Sequence, residues 1–210
     1  MKIYNGADGS EILLIRPGAT EFDENGRIVG VLDVPLSELG QKQAAALAEG
    51  SADFDVKAIF SSPSLAAQQT AKILGKQHGR KIKIKKALCN IDMGLWQGKE
   101  LDELRATQPK IAKQWEEHPE TVCPPEGESF DDVIPRVQKF LQKLRKKHKS
   151  GTIVIVVADP LAKVIASLLS KQAEVETESE TASVVRNSPV ELAACGKMDL
   201  LPLGVEVADA

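Results

Sequence analysis

Ile12-Leu13-Leu14-Ile15-Arg16-Pro17-Gly18-Ala19-Thr20 is a run of four apolar residues stopped by a charge, a proline and a glycine. A run this short and this continuously apolar suits a strand buried on both faces, as in a parallel sheet, and Pro-Gly closes it with a turn. The same form returns twice. Ala58-Ile59-Phe60 ends at Ser61-Ser62-Pro63, and the run from Ile153 to Val157 ends at Ala158-Asp159-Pro160.

Helical patterns separate the three runs. Residues 37–49 are Ala-rich with Ser37 as cap, and residues 63–77 place Ser62 at the cap and Pro63 at the first helical position. Residues 129–147 repeat apolar side chains every three or four positions, with Pro135 expected to bend the helix near its start. Residues 160–171 take Asp159 as cap and Pro160 next. Strands alternating with helices predict an α/β fold: an open, mostly parallel sheet with helices on both faces. In such sheets the ligand crevice lies beyond the carboxyl ends of the strands, so the turns at 16–20, 61–63 and 158–160 should meet at one site.

The rest of the chain says less. Lys81 to Lys86 alternates lysine and isoleucine, as expected of an edge strand guarded against pairing. The basic run from Arg145 to Lys149 complements the dipole at a helix end. Glu174 to Glu180 reads as a solvated acidic loop, and Ala182 to Val185 and Val190 to Ala194 as short β-prone pieces.

Composition narrows the function classes. The 210 residues are 42% hydrophobic and 4% aromatic, which suits one domain, 1–210, with an aliphatic core. A net charge of −3 gives no overall pull toward nucleic acid, and no apolar run approaches the roughly 20 residues of a membrane span. Cys89, Cys123 and Cys195 form no metal-type spacing, and an odd count without a signal-like N-terminus points to the cytoplasm. No nucleic-acid or membrane partner and no cofactor are expected.

Beyond Arg16-Pro17-Gly18-Ala19-Thr20 come Arg27, Gly30, Asp33-Val34-Pro35-Leu36 and Gly40, then Ser61-Ser62-Pro63 with Gln69-Thr70-Ala71. Ile91 to Gly98, Gly127-Glu128-Ser129 with Arg136, and Val154 to Ala158 follow in order. In this register, over roughly residues 11–170, the sequence resembles the histidine phosphatase superfamily, the phosphoglycerate mutase-like clan. The resemblance implies a phosphoglycerate mutase-like three-layer sandwich and a phosphohistidine mechanism. One histidine attacks phosphorus, a second histidine and two arginines clamp the phosphoryl group, and a carboxylic acid protonates the leaving oxygen.

Carried over residue by residue, the nucleophile falls at Pro17, the second clamp arginine at Ala66, the acid at Asn90 and the second histidine at Asp159. None of these four side chains can perform the role implied, so no catalytic residue is expected. His78, His118 and His148 lie outside these motifs. A residual pocket of Arg16, Gly18, Thr20, Ser62 and Asp159 is expected, with Arg16 paired to Asp159. Asp23, Asp92 and Asp159 read as solvated or capping residues rather than a metal site.

The implied function is a pseudoenzyme: the fold retained for a protein partner, a weakly bound anionic small molecule or a regulatory role. The alternatives are a phosphatase or phosphomutase with altered chemistry at Asp159, and a structural oligomerisation domain.

Overall fold

A computed structural model of the chain describes residues 1–5, 10–118 and 121–179, the last nine of these as backbone. The elements run β1 (Lys2–Asn5), β2 (Ser10–Ile15), α1 (Glu21–Glu24), α2 (Glu38–Gly50), β3 (Val56–Ser61), α3 (Leu65–Gln77), β4 (Ile82–Ile84), α4 (Leu101–Thr107), α5 (Pro109–Glu117), α6 (Phe130–Lys147), β5 (Gly151–Val156) and α7 (Leu161–Ser179). Single 3-10 turns cover Lys86–Leu88 and Gly94–Trp96.

The five strands form one sheet in the order β1-β2-β5-β3-β4. β5 lies at its centre, parallel to β2 on one side and to β3 on the other; β4 is parallel to β3, and only β1 is antiparallel. The three apolar runs of the sequence are therefore adjacent strands. Ile15 and Ser61 both align with Val156, so β2, β5 and β3 finish level.

Alternation along each strand divides the core between two faces. Leu13, Ile15, Ile59, Val154 and Val156 pack against Ala48 of α2 and Ala67, Ala71 and Leu74 of α3. Ile12, Leu14, Phe60, Ile153 and Ile155 pack against Val133, Val137 and Leu141 of α6 and Leu161, Ile165 and Leu169 of α7. Each large aliphatic side chain buried this way contributes roughly 1.5–3 kcal/mol.

Local chemistry sets the helix ends. The Ser37 hydroxyl accepts from the Gly40 amide to start α2, and Ser129 forms a reciprocal capping box with Asp132 to start α6, which runs unbroken through Pro135. Three expectations need correction. Residues 63 and 64 are not helical: α3 starts at Leu65 with Ser64 at its cap, because the Ser62 hydroxyl accepts from the Ser64 amide at 3.1 Å and holds a turn there. Residues 174–179 of the acidic stretch are helical, not loop. α7 continues to Ser179, a segment rich in Ala, Gln, Lys and Glu, all strong helix formers. Asp159 does not cap α7, for a reason given with the site. Residues 182–194, expected to be β-prone, lie outside the described residues. No helix among the described residues is long and apolar enough to cross a membrane.

The loop after β2 is held by backbone contact. A Cβ added at Gly18 would overlap the Gly40 carbonyl, and one at Gly40 would overlap the Ala19 carbonyl. Glycine at both positions lets the turn and the first turn of α2 touch.

Histidines close the C-termini of α3 and α6. His78 Nε2 lies 2.9 Å from the buried Ser51 hydroxyl, joining the ends of α3 and α2, and His148 stands edge-on to Phe60 at the end of α6. Burial lowers the pKa of both; Arg80 adds to the effect at His78, and Lys83 and Lys147 add to it at His148. The unfolded chain then binds these protons more readily, so the stability they confer is complete above the ordinary value of 6.5 and is lost as pH falls below it. The melting temperature is expected to drop over that range, and a His78→Gln/His148→Gln variant should flatten the profile. An unchanged slope in the variant would assign the acid sensitivity elsewhere.

Candidate functional site

The level carboxyl ends of β2, β5 and β3 bring Arg16, Asp159 and Ser62 together. Arg16 Nη1 donates to Asp159 Oδ2 at 2.8 Å, and the two side chains are 21% and 17% exposed. Arg16, which follows β2 into the crevice, therefore meets an internal carboxylate. Pro17, next in the chain, is buried and offers neither nucleophile nor proton.

Asn90 is 4% exposed, and its side chain makes three hydrogen bonds. Its Nδ2 donates to the Gly30 carbonyl at 3.0 Å and to the Asp159 carbonyl at 2.8 Å, and its Oδ1 accepts from the Leu161 amide at 3.2 Å. This explains the cap correction: Asn90 serves the start of α7, which leaves the Asp159 carboxylate for Arg16. An amide suits the position because it donates and accepts at once; an ionised carboxylate only accepts.

The remaining expected pocket residues are engaged elsewhere. The Gly18 amide donates to Thr70 Oγ1 at 3.1 Å. Thr20 forms a capping box with Asp23, its hydroxyl donating to Asp23 Oδ2 at 2.7 Å. The Ser62 hydroxyl lies 2.9 Å from that of Ser64. Ala66 is 6% exposed and packs with Leu36 and Ala44, so it turns into the α2–α3 contact. The three aspartates weighed as metal ligands are occupied separately: Asp23 by Thr20, Asp92 by the Gly94 amide and Asp159 by Arg16.

One residue that sequence reasoning missed lies beside the site. Asp33 Oδ1 accepts from the Leu65 amide at 2.5 Å, at the N-terminus of α3. Helix N-termini attract anions, and here the chain supplies its own. The two features best suited to hold a phosphate, Arg16 and the start of α3, thus carry Asp159 and Asp33. No local signal announces this, because 32 residues separate donor from acceptor. Gln43 and Gln69 tie the same loop down by accepting from the Ala19 and Leu36 amides. Elsewhere, Ala45, Glu49, Ile73, Lys76 and Gln77 line a shallow depression between α2 and α3.

Comparison with known proteins agrees with this architecture. The sequence profile of the histidine phosphatase superfamily (branch 1) matches residues 12–186. Phosphoserine phosphatase 1 of Hydrogenobacter thermophilus is 33% identical over 146 residues, which cover 70% of this chain and 69% of that protein. The bifunctional protein Rv2228c of Mycobacterium tuberculosis is 30% identical over 156 residues, 73% of this chain but only 43% of that protein. The solved mycobacterial glucosyl-3-phosphoglycerate phosphatase Rv2419c in complex with VO3 superposes with a TM-score of 0.71 at 30% identity, over 75% of this chain and 79% of that one.

Proposed function

Because the chain belongs to the histidine phosphatase superfamily, we propose that it keeps the superfamily's crevice without its phosphoryl-transfer chemistry and serves a binding or regulatory role. The observation that carries this reading is the Arg16–Asp159 ion pair beside Pro17. Phosphoryl transfer through histidine needs a free imidazole nitrogen and concentrated positive charge. This crevice offers a buried proline and a neutralised arginine. A neutral amide at Asn90, committed to three backbone groups, has no proton to give a leaving oxygen.

The relatives' names favour a second reading, a live phosphatase that uses Asp159. One experiment separates the two. Phosphate release from phosphoserine and an aryl phosphate, with a search for acid-labile phosphoprotein, should give nothing above the buffer control. A rate that persists through further purification and disappears in Asp159→Asn would establish the second reading and overturn the first.

A further inference from the structure

The chain carries a net charge of −3, yet its charges are strongly segregated. Residues 80–86 hold five cations and residues 139–149 hold six, with no Asp or Glu in either segment. The other sixteen Lys and Arg share the molecule with all thirty carboxylates. The fold joins the two basic segments. Lys83 Nζ sits 5.4 Å from the Phe60 ring centre, and that ring also meets Phe140 and His148 of the α6 region at 5.6 and 6.0 Å. Alternation puts Lys81 and Lys85 on the same side of the sheet as Lys83, toward α6. Burial, and after it the charges of Lys83 and Lys147, lower the pKa of His148.

β4 is the last strand of the sheet order. The Lys85 amide donates inward to Ser61; by the same alternation the Ile82 and Ile84 amides face the outer edge. Ile84, on the opposite side of the sheet from the lysine row, is 48% exposed. Among the described residues this edge therefore offers main-chain groups without a strand partner, flanked by a cationic row above and an apolar side chain below.

We propose that the β4 edge and the adjoining face of α6 form a docking surface for an extended peptide of a partner protein, one that alternates carboxylate and apolar side chains and adds to the sheet as a sixth strand. Strand addition draws affinity from main-chain hydrogen bonds and specificity from alternate side chains. The two-sided pattern favours a peptide over a nucleic acid, which has no backbone amides to offer the edge. Lysines on an edge also deter self-pairing, so the row that attracts an acidic strand repels a second copy of this chain. The proposal does not depend on whether the crevice is inert.

The test uses the full chain and a fluorescent octapeptide alternating Glu and Val, by anisotropy at about 150 mM salt. Binding should weaken at least about tenfold for a block peptide of the same composition, which puts carboxylates on both faces, and for an N-methylated copy, which keeps the charge but loses main-chain donors. Lys83→Glu/Lys143→Glu should weaken it as much. Lys143→Glu/Lys147→Glu, confined to the exposed face of α6, guards against a folding defect. Hydrogen exchange should show the Ile82 and Ile84 amides open in the free chain and protected by the peptide. Several results would overturn the proposal: equal affinity for the block peptide, tighter binding of an oligouridine or of phosphatidylserine vesicles, amides already protected in the free chain, or no peptide binding at about 1 mM.

Discussion

Asp159→Asn should convert the crevice from one that rejects inorganic phosphate to one that binds it, tightening the affinity by between about ten- and a thousandfold. To reach Arg16 in the native chain, phosphate must displace the carboxylate held at 2.8 Å and then remain beside it. Two like charges about 4 Å apart at an effective dielectric near 20 repel by roughly 4 kcal/mol, close to three decades in affinity. Both side chains are about one-fifth exposed, so solvent screening pulls the effect toward the lower end of that range. The amide keeps the shape and removes the charge. Titration calorimetry with phosphate, or the thermal shift phosphate produces, measures it directly. If the variant binds no better than the native protein, then Asp159 does not hold phosphate off Arg16. Releasing Arg16 should still yield no hydrolysis, because Pro17 remains beside it.

Asn90→Ala should cost about 3–5 kcal/mol of stability, a drop in melting temperature of about 6–20 °C. The substitution orphans three backbone groups: the Gly30 and Asp159 carbonyls and the Leu161 amide. Each buried, unsatisfied group costs roughly 1–3 kcal/mol, less where water reaches it. Asn90→Asp distinguishes lost hydrogen bonding from lost packing. An ionised carboxylate would face two carbonyl oxygens, so its folded pKa would be raised. Its penalty should therefore be full at neutral pH and should shrink on acidification toward the ordinary carboxylate range near 4. Urea titrations at pH 7 and pH 5 check both variants. A loss below about 1 kcal/mol for Asn90→Ala would mean that these groups are satisfied by water.

The centre of this fold was legible in the sequence because burial on both faces writes itself as continuous apolar runs. Ile12–Ile15, Ala58–Phe60 and Ile153–Val157 are adjacent strands for that reason. The convergence of Arg16 with Asp159 followed from placing both just beyond such strands. The edges were less legible. β1 is four residues, two of them exposed, and its pairing with β2 has no signature in so short a segment. α4 and α5 were missed because they bury only Leu104, Ala112 and Trp115, although Pro109 at the first turn of α5 was an available signal. At the site, local rules failed where distant groups compete. Ser61, Ser62 and Ser64 offer three hydroxyls before α3, and none caps it, because Asp33 arrives from another loop. Asp159 stands where a cap is expected, yet Asn90 takes the Leu161 amide.

The contact between Gly18 and Gly40 limits what the loop after β2 can tolerate. Each glycine forbids a side chain on the other's strip of backbone, because any Cβ there meets a carbonyl rather than a movable side chain. No single substitution at either position escapes this clash, so both residues are locked as glycine. Pro17 lies immediately before this lock, so the path of the loop past it is set by main-chain contact and not by any reactive side chain.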